Sequence, residues 1–161
     1  MSYKVDFVNS NYRRWYSNHK DEFDRAVLNC LEEGRLTLRE DVWKLEERLA
    51  AYVGTKYAVG VNSGTDALFL SLKALGIGPG DGVIAPSHTF IATIQAIVHC
   101  GATPVLVDVG EDELMDMEKV REAFLYTNIP IRAIIPVQYT GAVCDMARLR
   151  ELRDAATGQD E

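Results

Sequence analysis

From residue 57 onward the chain keeps one rhythm, and that rhythm limits its fold more than any other feature. Short apolar runs rich in β-branched residues occur at 57–61 (YAVGV), 83–86 (VIAP), 104–109 (PVLVDV) and 132–137 (RAIIPV). Between them, 64–75, 89–100 and 116–126 have helical spacing, and another helix is expected from Asp145. Strands this short and this uniformly apolar must be buried on both sides. The pattern therefore predicts an α/β fold, a mainly parallel sheet with helices on both faces. Before residue 56 the period is purely helical. Phe23, Ala26, Val27, Cys30 and Leu31 form one apolar stripe closed by Gly34. Val42, Leu45, Leu49 and Tyr52 form a second closed by Gly54, and this second stripe is expected to lie inward. The expected organisation is a helical segment at 1–55 followed by an α/β domain at 56–161.

Bulk properties exclude several classes. A net charge of −7 with no basic run disfavours a nucleic-acid surface. The N-terminal stretch lacks the apolar core of a signal peptide, and no uninterrupted apolar stretch reaches the roughly 18–20 residues of a membrane span. Cys30, Cys100 and Cys144 are odd in number and far apart, which fits reduced thiols in a cytoplasm. His19, His88 and His99 have no metal-ligand spacing, so no metal site is expected.

The chemistry concentrates at Asn62-Ser63-Gly64-Thr65-Asp66, between the run 57–61 and a helix. In an open parallel sheet, ligands gather at the carboxyl ends of the strands. The first turn of a helix there offers free N–H groups and a positive dipole end to an anion such as phosphate. Gly64 lets backbone approach the ligand, and the Ser63 and Thr65 hydroxyls can donate to it. The competing account is a plain helix cap by Ser63 or Thr65, with Asp66 favouring the dipole. Gly76-Ile77-Gly78-Pro79-Gly80 follows a helix and precedes a strand, the reverse of a dinucleotide fingerprint, so it reads as a helix stop and turn. At the same sheet edge, Phe90 could cover a flat cofactor ring or fill the core. His88 reads as a solvated loop residue.

Three separated motifs, VGVNSGTDAL, LGIGPGDGVIAPSHTFIATIQAIVHCGATPVLVDV and RAIIPVQYTGAVCDM, closely resemble the pyridoxal-phosphate-dependent sugar aminotransferases of the DegT/DnrJ/StrS family, in the family's order. The resemblance runs from about Asp6 to Leu152. It implies a type I aminotransferase large domain and a homodimer. It further implies amino transfer, usually from glutamate, to a keto group on a nucleotide-linked sugar. By that resemblance Ser63, Gly64, Thr65 and Asp66 form the phosphate end of the pyridoxal 5'-phosphate site, and Phe90 stacks on the pyridine. The loop 34–38 resembles one that helps build the neighbouring subunit's site, although Thr37 and Arg39 interrupt the family pattern. Gln138 stands where the family usually has histidine.

Pyridoxal chemistry also requires a lysine to form a Schiff base and a carboxylate for the pyridine nitrogen. The resemblance puts both in blocks beyond residue 161, and Asp108 is not their equivalent. Lys4, Lys20, Lys44, Lys56, Lys73 and Lys119 all sit in the wrong context. The expectation is therefore an N-terminal part of the large domain, cut off partway through a unit and without the small domain, and inactive alone. The alternative is a non-catalytic protein that binds the cofactor by its phosphate or dimerises with an intact relative.

Overall fold

In a computed structural model of the chain, residues 9–34, 36–37 and 39–158 are described. At its centre lies strand β1 (Gly82–Pro86), every residue of which is buried. Parallel neighbours flank it, β2 (Thr103–Val107) on one side and β3 (Ile131–Ile134) on the other, giving the order β2-β1-β3. The pleat sends alternate side chains of β1 to opposite faces. Val83 and Ala85 join Leu72, Ile97 and Cys100 beneath helices α4 (Gly64–Ala74) and α5 (Ile91–His99). Ile84 joins Val107, Val120 and Leu149 beneath α6 (Met117–Tyr126) and α7 (Met146–Thr157). The parallel sheet with helices on both faces is thus present.

Local chemistry sets the helix limits. The Asp116 carboxylate accepts from the N–H groups of Glu118 (2.8 Å) and Lys119 (3.4 Å), and Asp145 accepts from Arg148 N–H at 2.9 Å. These caps start α6 and α7. At the end of α4 Gly76 takes φ +75°, and Ile77 N–H donates to the Leu72 carbonyl at 3.0 Å, the six-to-one bond that stops a helix and turns the chain. Gly101 ends α5 in the same way, at φ +83°, with Ala102 N–H donating to Ile97 at 3.2 Å. A Cβ there would also lie 3.0 Å from Pro79 Cγ. Gly101→Ala should therefore lower the unfolding free energy by about 1–3 kcal/mol, through left-handed strain plus crowding, as read by a urea titration.

Two contact units divide the chain, Met1–Gly60 and Val61–Glu161. The first holds α1 (Asn9–Asn18), α2 (Lys20–Glu32) and α3 (Glu40–Val53). Helix α1 was not foreseen, because its sequence has no apolar stripe. Trp15 sets its ring edge-on to Phe23 of α2 at 5.1 Å, and Tyr16 donates to Asp24 at 2.7 Å.

Two expectations need correction. The stripe of α3 does not lie inward: Val42, Leu45 and Leu49 are exposed, and Tyr52 is 89% exposed; Val27 and Leu31 of α2 are exposed as well. An apolar stripe is buried only where a second surface covers it, and among the described residues only Ala50 of this unit reaches burial. The run 57–61 is not a strand. A strand exists through its ladder partner, and among the described residues none pairs with it. Instead Gly60 N–H donates to the Glu46 carboxylate at 2.6 Å, and Tyr57 O accepts from the Thr55 hydroxyl at 3.1 Å. Arg35 and Leu38 of the loop 34–38 lie outside the described residues.

Candidate functional site

The parallel strands converge on one edge. Helix α4 runs back to the start of β1, so its own first turn lies at the carboxyl edge of the sheet. Helix α5 leaves the end of β1, so its first turn lies there too. The two helices pack against each other through Leu68, Phe69, Leu72, Ala96 and Ile97.

At the start of α4, Ser63 has extended backbone and its Oγ accepts from Asp66 N–H at 3.1 Å while donating to the Asp66 carboxylate at 3.0 Å. That is a reciprocal cap between the N-cap and the third helical residue. It commits both the Ser63 hydroxyl and the Asp66 carboxylate to starting the helix, so neither is left to grip an anion directly. What the first turn presents outward is the Gly64 N–H, the Thr65 N–H and the Thr65 hydroxyl, for which no partner occurs among the described residues. A Cβ built on Gly64 meets nothing within 4 Å, so the space before this turn is open. Three donors at the positive end of an eleven-residue helix suit a phosphate.

Phe90 occupies the N-cap position of α5 and is 74% exposed. That exposure removes the core alternative and leaves its ring face open at the same edge. The loop carrying it is braced. Ser87 N–H donates to the Val107 carbonyl at 2.8 Å, the Ser87 hydroxyl donates to Asp108 at 3.2 Å, and the Thr89 and Thr93 hydroxyls share a bond at 2.9 Å. His88 is exposed as foreseen, but its ring lies 4.3 Å from that of Tyr139. Gln138 clasps the following loop, its Oε1 accepting from Cys144 N–H at 2.6 Å. Sequence reasoning missed the Ser87–Asp108 and His88–Tyr139 pairings, since only sheet order makes these residues neighbours.

None of the described lysines is placed as a nucleophile. Such a lysine needs a depressed pKa in a desolvated setting. The Lys119 amine is instead held above its ordinary value by its hydrogen bond to Glu122, and that of Lys20 by its hydrogen bond to Asp24. Lys44 pairs with Glu40 at 3.1 Å, and Lys56 lies over the Tyr57 ring. Lys73 sits in the last turn of α4, about 13 Å along the axis from Gly64. No cluster of His, Cys, Asp or Glu among the described residues could hold a metal ion, and none of their helices is long and apolar enough to cross a membrane.

Residues 17–157 match the DegT/DnrJ/EryC1/StrS aminotransferase family. Among curated proteins the chain is similar to a dTDP-3-amino-3,4,6-trideoxy-alpha-D-glucose transaminase of Streptomyces venezuelae. The two are 46% identical over 140 residues, which is 86% of this chain and 36% of that protein. Among solved structures it resembles S. venezuelae DesV in complex with a ketimine intermediate (44% identity, TM-score 0.82, 90% of this chain and 38% of that one). It also resembles the PLP form of the sugar aminotransferase Spr1654 of Streptococcus pneumoniae (40% identity, TM-score 0.71, 78% and 32%). The chain thus spans about a third of the length of these relatives.

Proposed function

The chain belongs to the DegT/DnrJ/EryC1/StrS aminotransferase family, and from that premise we propose that its first turn of α4 is the phosphate seat of a pyridoxal 5'-phosphate site. The Gly64 and Thr65 amides and the Thr65 hydroxyl hold the phosphate, Ser63 and Asp66 fix the turn that aims them, and Phe90 lies against the pyridine ring. When bound, the cofactor supplies an electron sink and a carrier for the amino group. The residues fit the phosphate end of that group and not its aldehyde end, for which the described residues offer no suitably placed amine. The reaction served is amino transfer to a keto group on a nucleotide-linked sugar, with glutamate as donor, a homodimer as the working assembly and the cytoplasm as setting. By itself the chain grips the cofactor and performs no transfer.

The observation that supports this reading best is the trio of unpartnered donors at Gly64 and Thr65, beside an exposed aromatic on the adjoining helix. A labelling experiment tests the missing-amine half. The chain is mixed with pyridoxal 5'-phosphate, reduced with borohydride and digested. The expected result is diffuse, sub-stoichiometric labelling of surface amines. One lysine modified stoichiometrically would overturn the claim that the chain lacks the cofactor's covalent partner.

A further inference from the structure

We infer that Tyr139 is a positioning residue for the ring end of the site: its ring packs on His88, and that contact holds the loop carrying Phe90 in place. The inference rests on the reading of Phe90 as the partner of the pyridine ring, and adds to it the residue on which the placement of Phe90 depends.

Sheet order makes the contact possible. In the order β2-β1-β3, the loop leaving β1 lies between the loops leaving its two neighbours. Residues 87–89 of that loop are neither helix nor strand, so a few individual ties decide where they sit. Toward β2 the ties are polar, from Ser87 N–H to the Val107 carbonyl at 2.8 Å and from the Ser87 hydroxyl to Asp108 at 3.2 Å. Toward α5 the Thr89 and Thr93 hydroxyls share their bond at 2.9 Å. Toward β3 the tie is aromatic: the rings of His88 and Tyr139 lie 4.3 Å apart with their planes inclined at 44°.

Tyr139 is the firm side of this pair. It is half-buried and opens the 3-10 turn Tyr139–Gly141, and Ala142 N–H donates to its carbonyl at 3.1 Å. The turn is closed from beneath. Gln138 Oε1 accepts from Cys144 N–H at 2.6 Å, and the Cys144 thiol donates to the Val137 carbonyl at 3.5 Å. Cys144 is buried in the cluster that holds Ile84 and Leu149, so the loop after β3 is anchored in the core. His88 and Phe90 are both exposed and have no such anchor of their own. Order therefore passes from the core through Cys144, Gln138 and Tyr139 to His88, and two residues further to Phe90. A ring that stacks on a ligand works only when it is held within roughly 0.5 Å of the productive geometry, and the groups behind it do the holding.

The test uses the full chain, with pyridoxal and pyridoxal 5'-phosphate as the two probes in isothermal calorimetry. NMR relaxation of the backbone amides is measured on the protein without ligand. Tyr139→Ala and His88→Ala are each expected to weaken both probes by a common factor, at most the roughly three- to tenfold loss that removing the Phe90 ring itself should cause. The ratio between the probes should stay unchanged, because the first turn of α4 is untouched. Added to Phe90→Ala, neither change should cause a further loss, since both act through that ring. Tyr139→Phe keeps the ring contact and should restore most of the affinity. Without ligand, Tyr139→Ala should lower the order of the Thr89 and Phe90 amides on the picosecond-to-nanosecond scale. Unchanged affinity or unchanged order in Tyr139→Ala, losses that add to that of Phe90→Ala, or Tyr139→Phe as damaging as Tyr139→Ala would each overturn the inference and leave the reading of the site standing. Phe90→Ala without effect on either probe would instead overturn that reading, and the inference with it.

Discussion

Ile84→Asp is expected to abolish cooperative unfolding of the unit formed by residues 61–161. Ile84 has no exposed surface and sits mid-strand in the central position of the sheet. It packs toward Val107, Val120, Cys144 and Leu149, and none of these apolar side chains could pair with a carboxylate. The change removes a buried side chain and leaves an unpaired charge or a protonated acid without a partner, a combination that costs more than about 4 kcal/mol. A domain of this size has a net stability of roughly 5–15 kcal/mol, so at the lower end of that range most of the reserve is consumed. Ile84→Val keeps the β-branched shape and should cost only about 0.5–1.5 kcal/mol. Circular dichroism during urea titration separates the two. A cooperative transition in the aspartate variant, with an unchanged midpoint, would show that β1 is not the centre of the core.

The same strand shows why part of the fold was legible. VIAP is buried on one face by α4 and α5, the helices immediately before and after it in sequence, and on the other by α6 and α7, so its uniformly apolar pattern and its tertiary surroundings agree. The caps Asp116 and Asp145 and the stop at Gly76 were equally readable, because each acts within four residues of itself. The run 57–61 has the composition of a strand, but strandedness is conferred by a partner, and composition cannot report whether one is present. The stripe Val42, Leu45, Leu49, Tyr52 failed similarly: periodicity identifies which face seeks cover, not whether something covers it. At the proposed site, the sequence predicted a helix opening at Ser63 and left Phe90 open between core and cofactor, and the structure shows the capped turn and an exposed Phe90. The sequence did not separate Ser63, spent on the cap, from Thr65, whose hydroxyl remains available. That distinction depends on the reciprocal bond between Ser63 and Asp66, which only the folded turn displays.

Affinity for pyridoxal 5'-phosphate should exceed that for pyridoxal by at least about a hundredfold, since each hydrogen bond to the charged phosphate contributes about 1.5–3 kcal/mol. If the seat is the first turn of α4, this advantage resides in the Gly64 and Thr65 donors and in the helix dipole. Thr65→Ala removes one donor and should weaken the phosphorylated ligand about tenfold while leaving pyridoxal unaffected. Thr65→Ser keeps the hydroxyl and should recover most of the loss. Phe90→Ala is predicted to act differently. It removes stacking worth about 0.5–1.5 kcal/mol, and so weakens both ligands by a similar factor of about three to ten. The phosphate's second ionisation lies near pH 6, so the advantage of the phosphorylated ligand should shrink as pH falls through that value and the dianion is lost. Direct titration by isothermal calorimetry reads all five comparisons without requiring turnover. Two ligands bound equally, or Thr65→Ala and Phe90→Ala changing them in parallel, would remove the phosphate from α4 and with it the assignment of the carboxyl edge.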